Sequence, residues 1–229
     1  AIIIAIVINQ VNTQNLKRNE SATNGDESAR ALTKNETEET QNDDSNEIAL
    51  YAADTTDTSE QKGVKAVWAK GIGQTEGGKI RSVAGCSDGG CIVGGEFSRY
   101  TVNLGNGVSV TNKGECDGIL IKYSGSGKVE WAKGIGGTGL DYITSVAESS
   151  DGGYIIGGCF QSSSISLGNG VNLTNKGDYN GMVIKYSSSG KVEWAKEIGG
   201  SGADYIQSIA ACTDGGCIVA VSYTHLTLP

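Results

Sequence analysis

Trp68, Trp131 and Trp194 stand 63 residues apart, as do Asp88, Asp151 and Asp214, and Lys122 and Lys185. No insertion disturbs the register. A fixed period of this size marks stacked copies of one supersecondary unit, because each copy leaves an apolar face that a neighbour must cover. KVEWAKGIGGTG (128–139) and KVEWAKEIGGSG (191–202) are two such copies. Residues 63–220 thus read as repeats, in units 65–127, 128–190 and an incomplete 191–220.

Within a unit every segment is strand-like. KVEWAK (128–133) alternates Val129, Trp131 and Lys133 against Lys128, Glu130 and Ala132. YITSVAE (142–148), YIIGGCF (154–160) and MVIKYS (182–187) are rich in branched, aromatic or apolar residues. Turn residues separate them, and LGNGVNLTNKG (167–177) holds Asn-Gly, the strongest short hairpin signal. No window carries apolar residues at sustained helical spacing. The predicted fold is all-β: an incomplete β-propeller of about two and a half 63-residue blades, preceded by a disordered tether. A β-solenoid is the second architecture, although its coils are usually shorter and less rich in hairpins. The constant place of each Trp suits packing between blades better than a sugar-stacking platform.

Composition divides the rest. Residues 1–8, AIIIAIVI, are apolar throughout, too few for the roughly 20 residues of a spanning helix. They suit a truncated signal peptide or membrane anchor, and with it an extracellular or cell-surface protein. Residues 9–62 form an acidic linker: Lys17 to Lys62 holds twelve Asp/Glu against five Lys/Arg, nearly all of the formal charge of −8. With Tyr51 as its only aromatic residue, this stretch reads as disordered, apart from a short apolar patch at Ile48-Ala49-Leu50-Tyr51. The remainder is near neutral, so it offers no basic field for nucleic acid. At the other end, residues 221–229 read as an adaptor-derived scar; they include the only His (His225) and the only Pro (Pro229), and neither is given a role.

WAKGIGGTGLDYITSVAESSDGGYIIGGCF followed by SLGNGVNLTNKGDYNGMVIKYSSSGKVEWAK resembles the bacterial SBBP-type (seven-bladed β-propeller) repeats and their delta-60 relatives, over roughly 64–220. The resemblance implies extracytoplasmic, often surface-associated proteins of undetermined binding function, with no shared catalytic residues. The copy number departs from it, since closed propellers take typically four to eight blades.

Motifs that carry chemistry are few. GIGGTG (134–139) has the spacing of a dinucleotide loop, but a strand-like segment follows where a helix is needed, and the other copies read GIGQTE and EIGGSG. Cys86 and Cys91 flank SDGG, and Cys212 and Cys217 flank TDGG; facing each other across a hairpin, each pair is a candidate disulfide in an oxidising compartment. The middle copy has Ser149 and Tyr154 there, while Cys116 and Cys159 have no evident partners. Asp88, Asp151 and Asp214 precede Gly-Gly as turn caps, and calcium-loop spacing is absent. No catalytic, metal or cofactor-binding residues are assigned. The expectation is a non-enzymatic surface scaffold binding carbohydrate or protein through blade loops. Its alternatives are a propeller enzyme (lyase, glycosidase or quinoprotein type) and a passive structural array.

Overall fold

The computed structural model describes residues 5–8, 48–54, 65–72, 77–98 and 100–223. Every element among them is a strand, and none of them forms a helix. No described helix is therefore long and apolar enough to cross a membrane.

A first sheet joins β1 (Ala5–Ile8), β2 (Ile48–Asp54) and β3 (Lys65–Ile72) in that order. A second runs β4 (Gly78–Gly85), β5 (Cys91–Phe97), β8 (Asp117–Tyr123), β9 (Val129–Ile135), with the hairpin β6 (Thr101–Gly105) and β7 (Val108–Thr111) inserted after β5. A third repeats that pattern as β10 (Asp141–Glu148), β11 (Tyr154–Phe160), β14 (Asn180–Tyr186), β15 (Val192–Ile198), with hairpin β12 (Ser164–Gly168) and β13 (Val171–Thr174). The last sheet is the pair β16 (Asp204–Ala211) and β17 (Cys217–Tyr223). Both four-stranded sheets are antiparallel throughout, and no sheet closes on itself among the described residues.

The sheets divide the chain differently from the frame 65–127, 128–190. The WAK strand ends a sheet rather than starting one, because a tight turn folds it back on the strand before it. In that turn Ser187 N–H donates to Lys191 O at 2.8 Å and Gly190 N–H to Ser187 O at 2.9 Å, with Gly190 at φ 75°. A periodic sequence has no origin, so hairpin closure sets the frame. Each inserted hairpin turns on its Asn-Gly pair: Asn106 and Gly107 have φ of 53° and 75°, Asn169 and Gly170 of 52° and 77°.

The same frame explains β2. Its residues Ile48 to Ala52 pair with Ile72 to Trp68, as Gly118 to Lys122 pair with Ile135 to Trp131 in the second sheet. A register shift follows at the same place in both. The segment read as a disordered linker therefore contains a third-position strand at 48–54, built over the apolar patch; 9–47 and 55–62 lie outside the described residues. Of the apolar start, 5–8 forms β1, parallel to β2. Of the segment read as a scar, 221–223 completes β17, and 224–229 lies outside the described residues.

Successive sheets pack face to face through glycine. A Cβ on Gly94 would come within 2.6 Å of Ile143 and Val146, and one on Gly157 within 2.8 Å of Ile209 and Ile206. Thus the first strand of each sheet beds into the preceding one. The core between them includes Ile92, Leu120, Ile143, Tyr154, Ile156 and Ile184, each fully buried aliphatic side chain contributing roughly 1.5–3 kcal/mol. Two hydrogen bonds lock the stacking: Val146 N–H donates to Ser82 Oγ at 3.1 Å, and Ile209 N–H to Ser145 Oγ at 3.0 Å. Trp131 reaches from β9 onto the next sheet, where its Nε1–H donates to Ser188 O at 3.0 Å and its ring centroid lies 5.7 Å from that of Tyr154. Trp68 likewise donates to Gly125 O, and its ring centroid lies 5.8 Å from that of Tyr123, as the Trp131 ring centroid lies 6.5 Å from that of Tyr186.

Candidate functional site

Positions that stacking fixes are alike in every copy, so the positions where copies differ are those free to carry another role. Four positions diverge near the end of the sheets that carries the long hairpins. The second residue of the first strand is Lys79, Tyr142 or Tyr205; a bulged residue two further on is Arg81, Thr144 or Gln207. The second strand offers Glu96 or Cys159, and the residue before the third strand is Cys116 or Tyr179.

These residues converge. The bulge between Ile80 and Ser82 turns Arg81 out of the ordinary alternation. Its Nε–H donates to Glu96 Oε2 at 2.6 Å, and Lys79 Nζ stands 3.8 Å from the other oxygen. That hydrogen bond to Glu96 raises the pKa of the guanidinium above its ordinary value. The Arg81 guanidinium also lies 5.4 Å from the centroid of the Tyr142 ring. Tyr142 stacks on Tyr179 at 6.4 Å and 17°, and Tyr179 meets Tyr205 at 5.3 Å and 32°. The result is a row, Glu96–Arg81–Tyr142–Tyr179–Tyr205, running across three sheets. Each of its rings is half-buried. Burial pushes all three phenols up, so they stay neutral at physiological pH.

Beneath the row two carboxylates hold the loops. Asp141 Oδ1 accepts the N–H groups of Gln161 and Ser162 at 3.1 Å, and its Oδ2 accepts Ser162 Oγ–H at 2.6 Å and Gly137 N–H at 2.9 Å. Asp117 Oδ2 accepts Lys113 N–H at 2.9 Å, while its Oδ1 has no hydrogen-bond partner among the described residues. The two side chains meet over Gly136, whose Cβ would lie 2.4 Å from Asp117 Oδ1 and 2.8 Å from Asp141 Oδ2. Burial pushes the Asp117 carboxyl up, and the Asp141 charge adds to this against the Lys113 amide. One copy later Asn180 takes its place opposite Asp204. Both aspartates are fully buried, and their hydrogen bonds position the loops around them. No group of three or more His, Cys, Asp or Glu able to hold a metal occurs among the described residues.

The sequence-derived candidates separate. Cys86, Cys91, Cys212 and Cys217 are free thiols, and the bridges expected across the two turns are absent. The turns are one residue tighter than four: Cys86 N–H donates to Gly90 O at 2.9 Å, and Cys91 pairs with Gly85. Adjacent ladder positions point to opposite faces, so Cys86 enters the core shared with the third sheet while Cys91 enters the one around Tyr123. Cys212 and Cys217 follow the same register, with Cys217 opposite Ala211. Asp88, Asp151 and Asp214 do cap their turns, accepting the N–H groups of Gly90, Gly153 and Gly216 at 2.8, 2.9 and 2.9 Å. GIGGTG runs into strand β10. Sequence reading missed the tyrosine row, whose signal was a column-by-column comparison of the copies.

Fold and site together define an all-β protein of stacked sheet repeats with a cross-sheet aromatic row at one end. No protein-family model matches the chain, and no curated protein does. Among solved structures it is similar to a protein of unknown function from Bacteroides caccae, with 16% identity and a TM-score of 0.33 over 69% of this chain and 57% of that one. The chain spans under two thirds of that protein's length.

Proposed function

We propose that this chain is the repeat region of an exported, surface-associated propeller scaffold of the SBBP type. It acts by binding rather than catalysis, and its ligand is carbohydrate. The observation that carries this reading is the row Tyr142–Tyr179–Tyr205. The half-buried rings pack on one another and on Arg81, so they offer a sugar their edges and hydroxyl groups, and the partly exposed Arg81, held by the buried Glu96, supplies hydrogen bonds to hydroxyls at one end. The apolar start and the acidic stretch after it suit export and tethering. Binding of the full chain to an array of bacterial, plant and host polysaccharides tests the reading, with Tyr179→Ala as the control. Wild-type binding lost in Tyr179→Ala supports it; an array on which neither protein binds, or both bind alike, overturns it.

A further inference from the structure

The aromatic row is asymmetric: its first end is charged and its rings are neutral. Lys79, Arg81, Glu96 and Tyr100 of the first copy stand where the second has Tyr142, Thr144, Cys159 and Ser163. Lys79 and Glu96 are cross-strand partners, and the bulge brings Arg81 to the same carboxylate. Two cations thus share one anion. The Glu96 side chain is 8% exposed, whereas that of Lys79 is 65% and that of Arg81 38% exposed. Arg81 gives its Nε–H to Glu96 and carries further N–H donors on its guanidinium. Lys79 Nζ, at 3.8 Å, is beyond hydrogen-bond distance of the carboxylate. The carboxylate beneath this end, Asp141, is fully buried under hydrogen bonds from the loops, and the exposed Lys113 and Glu115 offset each other. Positive charge is therefore in surplus on the accessible surface here.

Tyr100 is a second, independent sign. It is 75% exposed and holds φ at 62°, a left-handed conformation that is costly for a bulky residue and is kept where surroundings impose it. The corner itself does not demand it. Asn112 N–H donates to Tyr100 O and its Nδ2–H to Phe97 O, and Asn175 holds Ser163 O and Phe160 O in the same way, yet Ser163 has no positive φ. Ser98 N–H donates to Gly77 O at 2.9 Å. Lys79 lies two residues to one side of that pair and Tyr100 two residues to the other, each within about 7 Å of it along the backbone.

We infer that this end of the row is a subsite for an anionic sugar, so that the glycan bound is acidic. A carboxylate or sulfate on the sugar takes the free donors of Arg81 and the Lys79 ammonium, an arrangement of oxygens that a guanidinium fork matches. Tyr100 supplies the exposed aromatic surface that the half-buried row lacks. The inference rests on the carbohydrate reading and adds to it the charge of the ligand and its direction, with the anionic sugar at the first copy and the chain running toward Tyr205.

The test is isothermal titration of the full chain with polygalacturonate, dextran sulfate, neutral dextran and poly-glutamate, at low and high salt. One or both acidic polysaccharides should bind in preference to dextran, more weakly as salt rises. Which of them binds tells carboxylate from sulfate. Lys79→Gln and Tyr100→Ala change exposed side chains, so the fold is kept, and each should weaken that binding about tenfold. Lys196→Gln, which removes an exposed cation from β15, should leave it unchanged. Affinity unaltered in Lys79→Gln or in Tyr100→Ala, a loss as large in Lys196→Gln, or poly-glutamate bound as tightly as the acidic polysaccharides overturns the subsite. Binding confined to neutral glycans overturns it too and leaves the carbohydrate reading standing. Binding to no glycan, here or on the array, overturns both.

Discussion

Lys185 Nζ lies 2.6 Å from Asp151 Oδ1, and one copy earlier Lys122 Nζ lies 2.8 Å from Asp88 Oδ2. Each ammonium is buried, at 4% and 1% exposure, while each carboxylate is about half exposed. The pair ties the second-strand turn to the third strand, and Lys122 also donates to Tyr123 O at 3.0 Å. Asp151→Ala leaves the buried Lys185 ammonium with the Glu193 carboxylate, 3.9 Å away, and should cost roughly 2 kcal/mol, less than a fully buried pair because the carboxylate is partly screened. Lys185→Met in the same chain should recover most of that loss. Among the described residues Asp214 bonds its own turn, through Gly216 N–H, so Asp214→Ala should cost under about 1 kcal/mol. Urea denaturation of the three variants checks the order.

The same pairs set an acid limb. The Lys185 hydrogen bond holds the Asp151 carboxyl below its usual range, and at Asp88 burial is outweighed by the bonds from Lys122 and Gly90. A carboxylate with a depressed folded pKa contributes stability above its unfolded value and loses it as pH falls through the folded one. Thermal melts should therefore decline below about pH 4, and the decline should be shallower in Asp88→Asn/Asp151→Asn.

Asp117 has the opposite sign. Its folded carboxyl is raised by burial, so the contribution is complete below the unfolded pKa and falls as pH rises through the folded one. Asp117→Asn, which copies Asn180, should raise stability at neutral pH by on the order of 1 kcal/mol and have little effect near pH 3. Equal melting shifts at both pH values would show that folding does not raise this carboxyl.

Gly158 and Gly85 separate backbone crowding from mere glycine content. A Cβ on Gly158 would lie 2.1 Å from Tyr142 O, at the bulge that turns Thr144 out of the ladder, whereas one on Gly85 meets nothing within 4 Å. Gly158→Ala should cost about 2–4 kcal/mol, and Gly85→Ala less than about 0.5 kcal/mol. The third copy carries Val221 at this position, packed against the cluster that holds Ile206 and Ile209, so Val221→Gly should destabilise the β16–β17 hairpin. Hydrogen exchange across that hairpin reports the change.

The thiols should label in two groups. Burial pushes Cys86, Cys116 and Cys159 up to about 12 and Cys91 to about 11, while Cys212 and Cys217 are only half-buried. Alkylation of the native chain should modify Cys212 and Cys217 first and reach the other four only after denaturation. Mass spectrometry should find no internal bridge between Cys86 and Cys91, even after air oxidation.

The strands were legible because alternation and Asn-Gly turns are local: Val129–Ile135, Tyr154–Phe160 and the 106–107 hairpin form where their residues indicate. Ile48–Asp54 was not, since a weakly apolar strand inside an acidic stretch is fixed by the β3 edge it pairs with. The disulfides failed on one residue of turn length, which reverses the face of Cys86 relative to Cys91. The tyrosine row lay in plain view as residues, but nothing local says that Tyr142, Tyr179 and Tyr205 are neighbours.

What the sequence determined alone is the period, the all-β character and the need of each copy for a neighbour, because these follow from the spacing of apolar residues along one chain. Only the tertiary structure decided where a sheet begins, which glycines are irreplaceable, and that Arg81, Tyr142, Tyr179 and Tyr205 of separate copies lie in one row. Those facts depend on face-to-face stacking, which joins residues about one period apart, and no local pattern records that contact.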